Sequence, residues 1–499
     1  MPKIKNEELD FTSSISLPEE SNVVYIPGGA GEKTKPMLFT SLRKFDSYIK
    51  EGVLLEDLSV TLAKRLLALG MQVLYQGFTV TPSGEDIYIK KNQQVKILEE
   101  GEVGEEVKYF VLNGTRYVIG DNEVDSQIWN EQHQTWELDD NFEVVNGVFE
   151  LYPITIDGEQ VTPVCEIDFV HEFVKCNVIK LDTADVLNIA DVDWEELEDR
   201  TLYDVRFLTT GGYACPTSKM VECAVHRGDC VALLDHEKDL AKEEDSNVVA
   251  TVRAFFEGIA DGVDVISTTE KKSSPLSFGA AFTPWFHANL SGEEVDIPAS
   301  FGYLFAYARM VQFNASWFAA AGADRGQIPE LVKPLYVYTG AEVEMLQSRG
   351  KELAVELDDV EDNDGIAINP IALVNPYGYV VFGNRTLLDN SENDGILKAT
   401  SFLNIRNLVS VLNKRIYQAA RRYTFELNTE ALWINFKSMI TPLLDKMQSS
   451  SGVMGYRIER VPTDKKARLC ARVRIIPIEA VEDFEAFIYL EDSILEVVE

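Results

Sequence analysis

Five potential metal ligands fall within 22 residues of one another: Cys215, Cys223, His226, Cys230 and His236, in the spacing C-x7-C-x2-H-x3-C-x5-H. A structural zinc site draws on paired thiolates presented by one tight turn, the C-x2-C knuckle, and this run has none. The spacing reads as buried free thiols near strands, with a metal site in an enzyme or metal-binding protein as the alternative. The same stretch holds Arg227-Gly228-Asp229, either a turn leading into the apolar strand Cys230 to Leu234 or a displayed adhesion tripeptide. Gly-x-Ser-x-Gly does not occur, and His133, His171, His226, His236 and His287 show no spacing to a serine or cysteine that marks a nucleophile with its base. Pro27-Gly28-Gly29-Ala30-Gly31 follows the β-prone run Val23 to Ile26. It lacks both the lysine-hydroxyl pair of a phosphate loop and the G-x-G-x-x-G spacing, and so reads as a turn. Carboxylates are too frequent for any pair to stand out. No catalytic residue, metal or cofactor is assigned, and the chain reads as a non-enzyme.

The composition narrows the partners. The chain has 499 residues, with 82 Asp and Glu against 46 Lys and Arg, a net charge of −36. Tracking a phosphate backbone needs clustered cations, so nucleic acid is excluded as an expected ligand. Apolar residues at 45% and aromatics at 10% are those of a globular chain whose acidity lies on its surface. The first twenty residues carry acids and a proline where an export signal would be apolar. The tract Leu276 to Leu290 is broken by Ser277, Gly279, Pro284 and His287, well short of a membrane span. A soluble chain made inside the cell, with no membrane insertion, is expected. Six cysteines in such a length point to free thiols and make disulfides unexpected.

The elements that must position any site follow from periodicity and turn residues. Val23 to Ile26, Met37 to Thr40 and Leu42 to Ile49 read as strand, strand and helix; Leu55 to Leu69 is helical and Val73 to Tyr75 a strand. From Ile87 to Val178 short alternating runs are cut by Asn113-Gly114, Asn146-Gly147 and Asp157-Gly158, the signals of tight hairpins. Between Thr81 and Arg200 stand 29 acids and 8 bases, whereas Ser401 to Glu482 holds 14 bases and 7 acids. Strands and helices alternate from Cys176 to Val374. Two long helices are expected at Phe402 to Tyr423 and Thr429 to Met447, then a strand pair at Tyr456 to Glu459 and Ala471 to Ile478. Lys414, Arg415, Arg421 and Arg422 recur at an offset of seven, sharing a helix face that is either simply solvated or turned to an acidic partner. Phe484 to Glu499 contains two β-prone runs beyond the last domain, a hazard unless they pair with another sheet edge.

An ordered series then resembles the contractile phage tail sheath family. It runs through Ala281-Phe282-Thr283-Pro284-Trp285-Phe286, Pro298-Ala299-Ser300, Gly302, Ala308-Arg309-Met310, Trp317, Ala319 to Gly322 and Arg325-Gly326. Gly378 to Leu387, Asn404-Ile405-Arg406, Phe425 to Asn428 and Leu432-Trp433 continue it. Asn407 stands where the family's usual second arginine would be, and the acidic module has no counterpart in the family pattern. The resemblance implies an α/β and α+β multidomain fold. It divides into an arm (1–22), the first part of a sheath core (23–80), an inserted acidic antiparallel β domain (81–180), a central α/β domain (181–375), the C-terminal part of the core (376–483) and a second arm (484–499). It implies a structural protein of the virion, assembled in the host cytoplasm as hexameric rings stacked in a helical polymer around a tail tube protein. Baseplate and tail terminator proteins are further implied partners, and contraction would drive the tube through a bacterial envelope. A non-phage contractile injection system would work by the same mechanics. Terminal arms would be exchanged as strands, through Leu9, Phe11, Ile15 and Leu17 at one end and Phe487, Ile488, Tyr489 and Leu490 at the other. Lys414, Arg415, Arg421 and Arg422 would face the tube or a neighbouring subunit.

Overall fold

The structure, a computed structural model, describes residues 22–28, 34–52, 58–78, 89–179 with short breaks, 192–213, 218–241, 247–264, 275–347, 365–388, 398–463 and 467–480, the runs 218–241 and 275–347 each lacking one position. The runs Val23-Val24-Tyr25-Ile26 and Val231 to Leu234 are apolar without alternation, the mark of strands covered on both faces. They lie in one mixed sheet. Its strands are β1 (Val23–Gly28), β2 (Met37–Phe39), β3 (Gln72–Gly77), β4 (Phe207–Leu208), β5 (Val231–Asp235), β6 (Gly279–Thr283), β7 (Ile368–Val374) and β8 (Gly378–Val381). The order is β2-β3-β1-β4-β5-β6-β7-β8, parallel from β3 through β7 and closed at each end by an antiparallel strand.

Successive side chains on β1 enter two separate cores, because a strand turns its residues alternately to opposite faces. Val24 and Ile26 meet α1 (Leu42–Gly52), α2 (Leu58–Ala68) and α5 (Ala299–Phe313) through Phe45, Leu62, Leu66, Phe301 and Phe305. Val23 and Tyr25 meet α3 (Ser218–Arg227), α4 (Val248–Asp261) and α6 (Gly340–Gln347) through Val221, Phe256 and Leu346. Helix α5 is buried around most of its circumference. A Cβ on its Gly302 would stand 2.9 Å from the Phe286 ring, so glycine there permits the close approach. Buried Glu330 clamps α2 to α5: it pairs with Arg65 at 2.6 Å and with Arg309.

The domain edges differ from the expected ones. Strands from 23–77 and from 207–381 share one sheet, so the first segment belongs with the central domain and not with a core built from the two ends of the chain. The edge expected at 376 falls inside the β7–β8 hairpin, where Tyr377 N donates to Val374 O and Gly378 has a φ of +85°. A hairpin turn carries the same proline and glycine as a linker, which is why the two read alike. The C-terminal unit begins near 402 with α7 (Leu403–Arg422), α8 (Glu430–Ser449), β9 (Val453–Val461) and β10 (Cys470–Pro477), around Leu408, Trp433, Phe436, Ile440 and Leu444.

Between 89 and 179 every strand pairing is antiparallel, in two five-stranded sheets and a two-stranded ribbon. Leu112 pairs with Thr115 across Asn113-Gly114, and Ile156 with Glu159 across Asp157-Gly158. Cys165 is disulfide-bonded and lies opposite Cys176 in register, against the expectation of free thiols throughout. No helix of the described residues is long and apolar enough to cross a membrane.

The module's first and last strands, Ile89–Lys96 and Phe173–Ile179, are hydrogen-bonded neighbours. Excising Thr81 to Lys180 and joining the ends with a short Gly-Ser linker should leave the central sheet folded. The melting temperature of the remainder should stay within about 2–4 °C of the parent, a shift worth about 1 kcal/mol in a large domain; a molten product by near-UV circular dichroism would show that the module shares a core with the sheet.

Candidate functional site

Chemistry that resembles a nucleophile with its base occurs at the ends of β5 and β6, in residues far apart in sequence. His236 Nδ1 contacts Glu237 O at 2.6 Å, and a carbonyl only accepts, so Nδ1 carries the proton. Nε2 therefore accepts, and Thr283 Oγ1 donates to it at 2.8 Å while itself accepting from Tyr338 OH at 2.7 Å. Trp285 Nε1 donates to His236 O at 2.7 Å. Next in chain, Asp235 caps α5: Ser300 N donates to its carboxylate at 2.8 Å, as does the Ser300 hydroxyl. His236 and Thr283 are wholly buried and Tyr338 nearly so, leaving no approach for a substrate. The chain is a structural joint.

The cysteine and histidine run is dispersed by the fold. Cys223 and Cys230 are buried in the core beside α3 and β5, where burial pushes both thiols up, Cys230 to about 12. His226 points outward to Glu198 at 2.6 Å, and His236 is in the joint. Cys215 lies outside the described residues. Among the described residues no three His, Cys, Asp or Glu groups are placed to hold a metal. Arg227-Gly228-Asp229 is a buried turn: Arg227 Nε donates to Asp229 at 3.0 Å and its other nitrogens to the carbonyls of Leu197 and Tyr203. Gly228 takes a φ of +71°.

The basic stripe divides. Helix α7 lies against the central unit through a row of polar contacts. Asn404 N donates to Asn384 Oδ1 at 3.1 Å, and Asn384 Nδ2 to Asn404 Oδ1 at 2.7 Å. Arg406 Nη1 donates to Ser277 Oγ at 3.1 Å, with the guanidinium 4.0 Å over the Phe278 ring; burial lowers its pKa to about 10. Asn407 Nδ2 donates to Tyr303 OH at 3.1 Å and Asn413 Nδ2 to Gly228 O at 2.9 Å. Lys414 continues this row: it pairs with Asp204 and donates to Val205 O at 3.3 Å. Arg415 is buried and donates to Gln418 at 3.2 Å. Arg421 and Arg422 alone of the four are exposed. The terminal residues Leu9, Phe11, Ile15, Leu17, Phe487, Ile488, Tyr489 and Leu490 lie outside the described residues.

The strand pair expected near the end of the chain forms as the ribbon β9–β10; the feature missed in sequence is the arginine cluster it carries. Thr429 caps α8, its hydroxyl accepting from Leu432 N at 3.2 Å, and α8 then packs on the ribbon through Tyr456 and Asp445. Arg457 pairs in register with Arg474, and Glu459 with Arg472. Arg457 Nε contacts Glu459 at 2.6 Å, and Arg474 reaches the same carboxylate at 3.9 Å. One acid thus stands among three exposed arginines. Among the described residues no third strand pairs with either edge. The excess of bases between 401 and 482 was the sequence signal for this surface.

No protein-family model matches the chain. A curated relative, the tail sheath protein of Vibrio phage KVP40, is 25% identical over 238 residues, which cover 46% of this chain and 31% of that protein. The chain thus spans less than a third of that relative's length. Among solved structures, the sheath complex of an extracellular contractile injection system in its contracted state aligns at TM-score 0.42 and 18% identity, covering 60% of this chain and 75% of that one. A chain in the baseplate of the anti-feeding prophage aligns at 0.40 and 14%, covering 63% and 76%. A sheath tail protein from Listeria innocua aligns at 0.39 and 9%, covering 94% and 98%. The family resemblance read from the residues is borne out by the curated relative.

Two outcomes test this geometry. Lys414→Ala should destabilise the protein by about 1–3 kcal/mol in urea, since it strips partners from Asp204 and Val205 O. Arg421→Ala and Arg422→Ala should each stay within about 0.5 kcal/mol. The joint at 235–236 gives opposed pH slopes. Burial raises Asp235 from 3.8 to about 7, so its contribution is present below pH 3.8 and is lost as pH rises through 7. Burial lowers His236 from 6.5 to about 4, so its contribution is present above pH 6.5 and is lost as pH falls through 4. Asp235→Asn should therefore leave stability rising between pH 4 and 6.5, by up to about 1.4 kcal/mol per unit; a flat urea midpoint over that range would contradict the assignment.

Proposed function

We propose that this chain is a sheath subunit of a contractile tail or injection system, which polymerises as stacked hexameric rings around a tail tube and contracts once. The observation that carries the reading is the ribbon β9–β10, two strands that no third strand joins among the described residues, followed in sequence by the β-prone runs of 484–499. An added strand makes backbone hydrogen bonds that hold without side-chain registry, so subunits can turn relative to one another and stay linked. The segments offered for exchange are the arms with Leu9, Phe11, Ile15 and Leu17 and with Phe487, Ile488, Tyr489 and Leu490. The similarity to a phage tail sheath protein supports the same reading, and a non-phage system fits it equally. Baseplate and terminator proteins are the further partners of such a sheath, and the virion tail its location.

Arg421 and Arg422, with the ribbon arginines, are exposed cations offered to a tube or an adjacent subunit. Exposed pairs of this kind contribute only about 0–1 kcal/mol each and weaken with salt, as contacts broken in a single stroke require. The acidic module would lie on the outer surface, where its charge keeps polymers apart.

Negative-stain microscopy of the purified chain, with and without tube protein and across salt concentrations, tests the reading. Tubular polymers are expected, and removing 484–499 should abolish their order while leaving the monomer folded. A persistent monomer under every condition would overturn it.

A further inference from the structure

Two features on different units of the chain remain unused by that reading. The first is the tip between α7 and α8. Phe425 is fully exposed, at 102% of its reference area, and Leu427 is 79% exposed. Phe425 also has a φ of +74°, a left-handed conformation that side-chain-bearing residues avoid. Backbone bonds hold it there: Glu426 N donates to Tyr423 O at 3.2 Å and Thr429 N to Leu427 O at 2.8 Å. An ordered turn that presents two large apolar side chains to water, at the end of two twenty-residue helices, is a rigid projection.

The second is a groove of about 330 Å³ between α6 and the β7–β8 edge of the central sheet. Val343 and Ile371 form its buried floor, and Val337, Leu373 and Phe382 its exposed walls. Glu344, exposed on α6, stands on its rim.

We propose that the tip of one copy docks in this groove on a second copy, Phe425 and Leu427 entering among Val337, Leu373 and Phe382. The inference rests on the self-assembly reading above and adds a contact to it. Charge selects the occupant. A chain at −36 repels its own copies, so a self-contact needs local opposite charges at its edge. Arg421 and Arg422 lie one turn before the tip, and Glu344 lies on the groove's rim. Projection and socket sit on different surfaces of one chain, so the contact is head-to-tail: every copy offers a free tip and a free groove, and the contact repeats along a ring or helix.

Benzoyl-phenylalanine placed at position 425 of the full chain, irradiated at high protein concentration and mapped by mass spectrometry, reads the contact directly. The expected adduct joins 425 to residues within 334–344 or 371–382 of another copy. Leu373→Asp should reduce its yield at least tenfold. Arg421→Glu with Arg422→Glu should weaken it, and adding Glu344→Lys should restore it. Adducts that form only on tube protein, only within one chain, or elsewhere on a second copy would overturn the proposal. So would intermolecular adducts indifferent to Leu373→Asp. If tubular polymers form without the expected adduct, the docking contact fails and the sheath reading stands; if neither polymer nor adduct appears, both fail.

Discussion

A helix that carries cations into a protein interior must find an acceptor for each, since an uncompensated buried charge costs several kcal/mol. Helix α7 meets this constraint along the side that touches the central sheet. Arg406 meets Ser277 and the face of Phe278, Asn407 meets Tyr303, Asn413 meets Gly228, and Lys414 meets Asp204. Arg206 reaches back from β4's flank to the carbonyls of Ser316 and Asn407 at 3.4 Å. Polar bonds are directional, so this row fixes how α7 sits more tightly than apolar packing alone. The C-terminal unit, including the ribbon and the tip, takes its placement from that helix.

What the sequence made legible was whatever periodicity alone determines. The strands at 23–28 and 72–77, the helices at 42–52, 58–68, 403–422 and 430–449, and the final ribbon follow from local pattern and turn residues. The stripe of four cations did not follow, although the offset of seven was sound as helix geometry. A shared face is buried or exposed according to what lies over it: Lys414 meets Asp204 of the central unit and Arg415 is buried, whereas Arg421 and Arg422 are exposed. The hydrogen-bonded chain through His236, Thr283 and Tyr338 was likewise beyond reach, because its members come together only when β5 and β6 pair in parallel.

The same logic separates two readings of the cysteines and of Arg227-Gly228-Asp229. Reactive thiols and adhesion motifs need exposure, whereas Cys223, Cys230, Arg227 and Asp229 are buried on α3 and at the start of β5. Arg227 is consumed by Asp229 and two carbonyls, and that pairing closes the turn from which β5 starts. A motif on a strand's approach thus serves the sheet's own register.

Assembly poses the opposite problem to folding, because its contacts must form reliably and yet give way. A strand added to the ribbon's edge and a side chain seated in a groove respond differently to rotation between copies. Each backbone bond tolerates a change in angle between subunits so long as the strand can flex at its ends. A projection held rigidly by two helices cannot follow its socket through such a turn. A linkage of the first kind would then keep copies connected throughout the stroke, and one of the second kind would define a single registered state and release on leaving it. Screening acts on the two unequally. In the proposed assembly, salt would weaken a rim of Arg421, Arg422 and Glu344 and leave ladder hydrogen bonds nearly untouched, so the two kinds of linkage would answer differently to ionic strength.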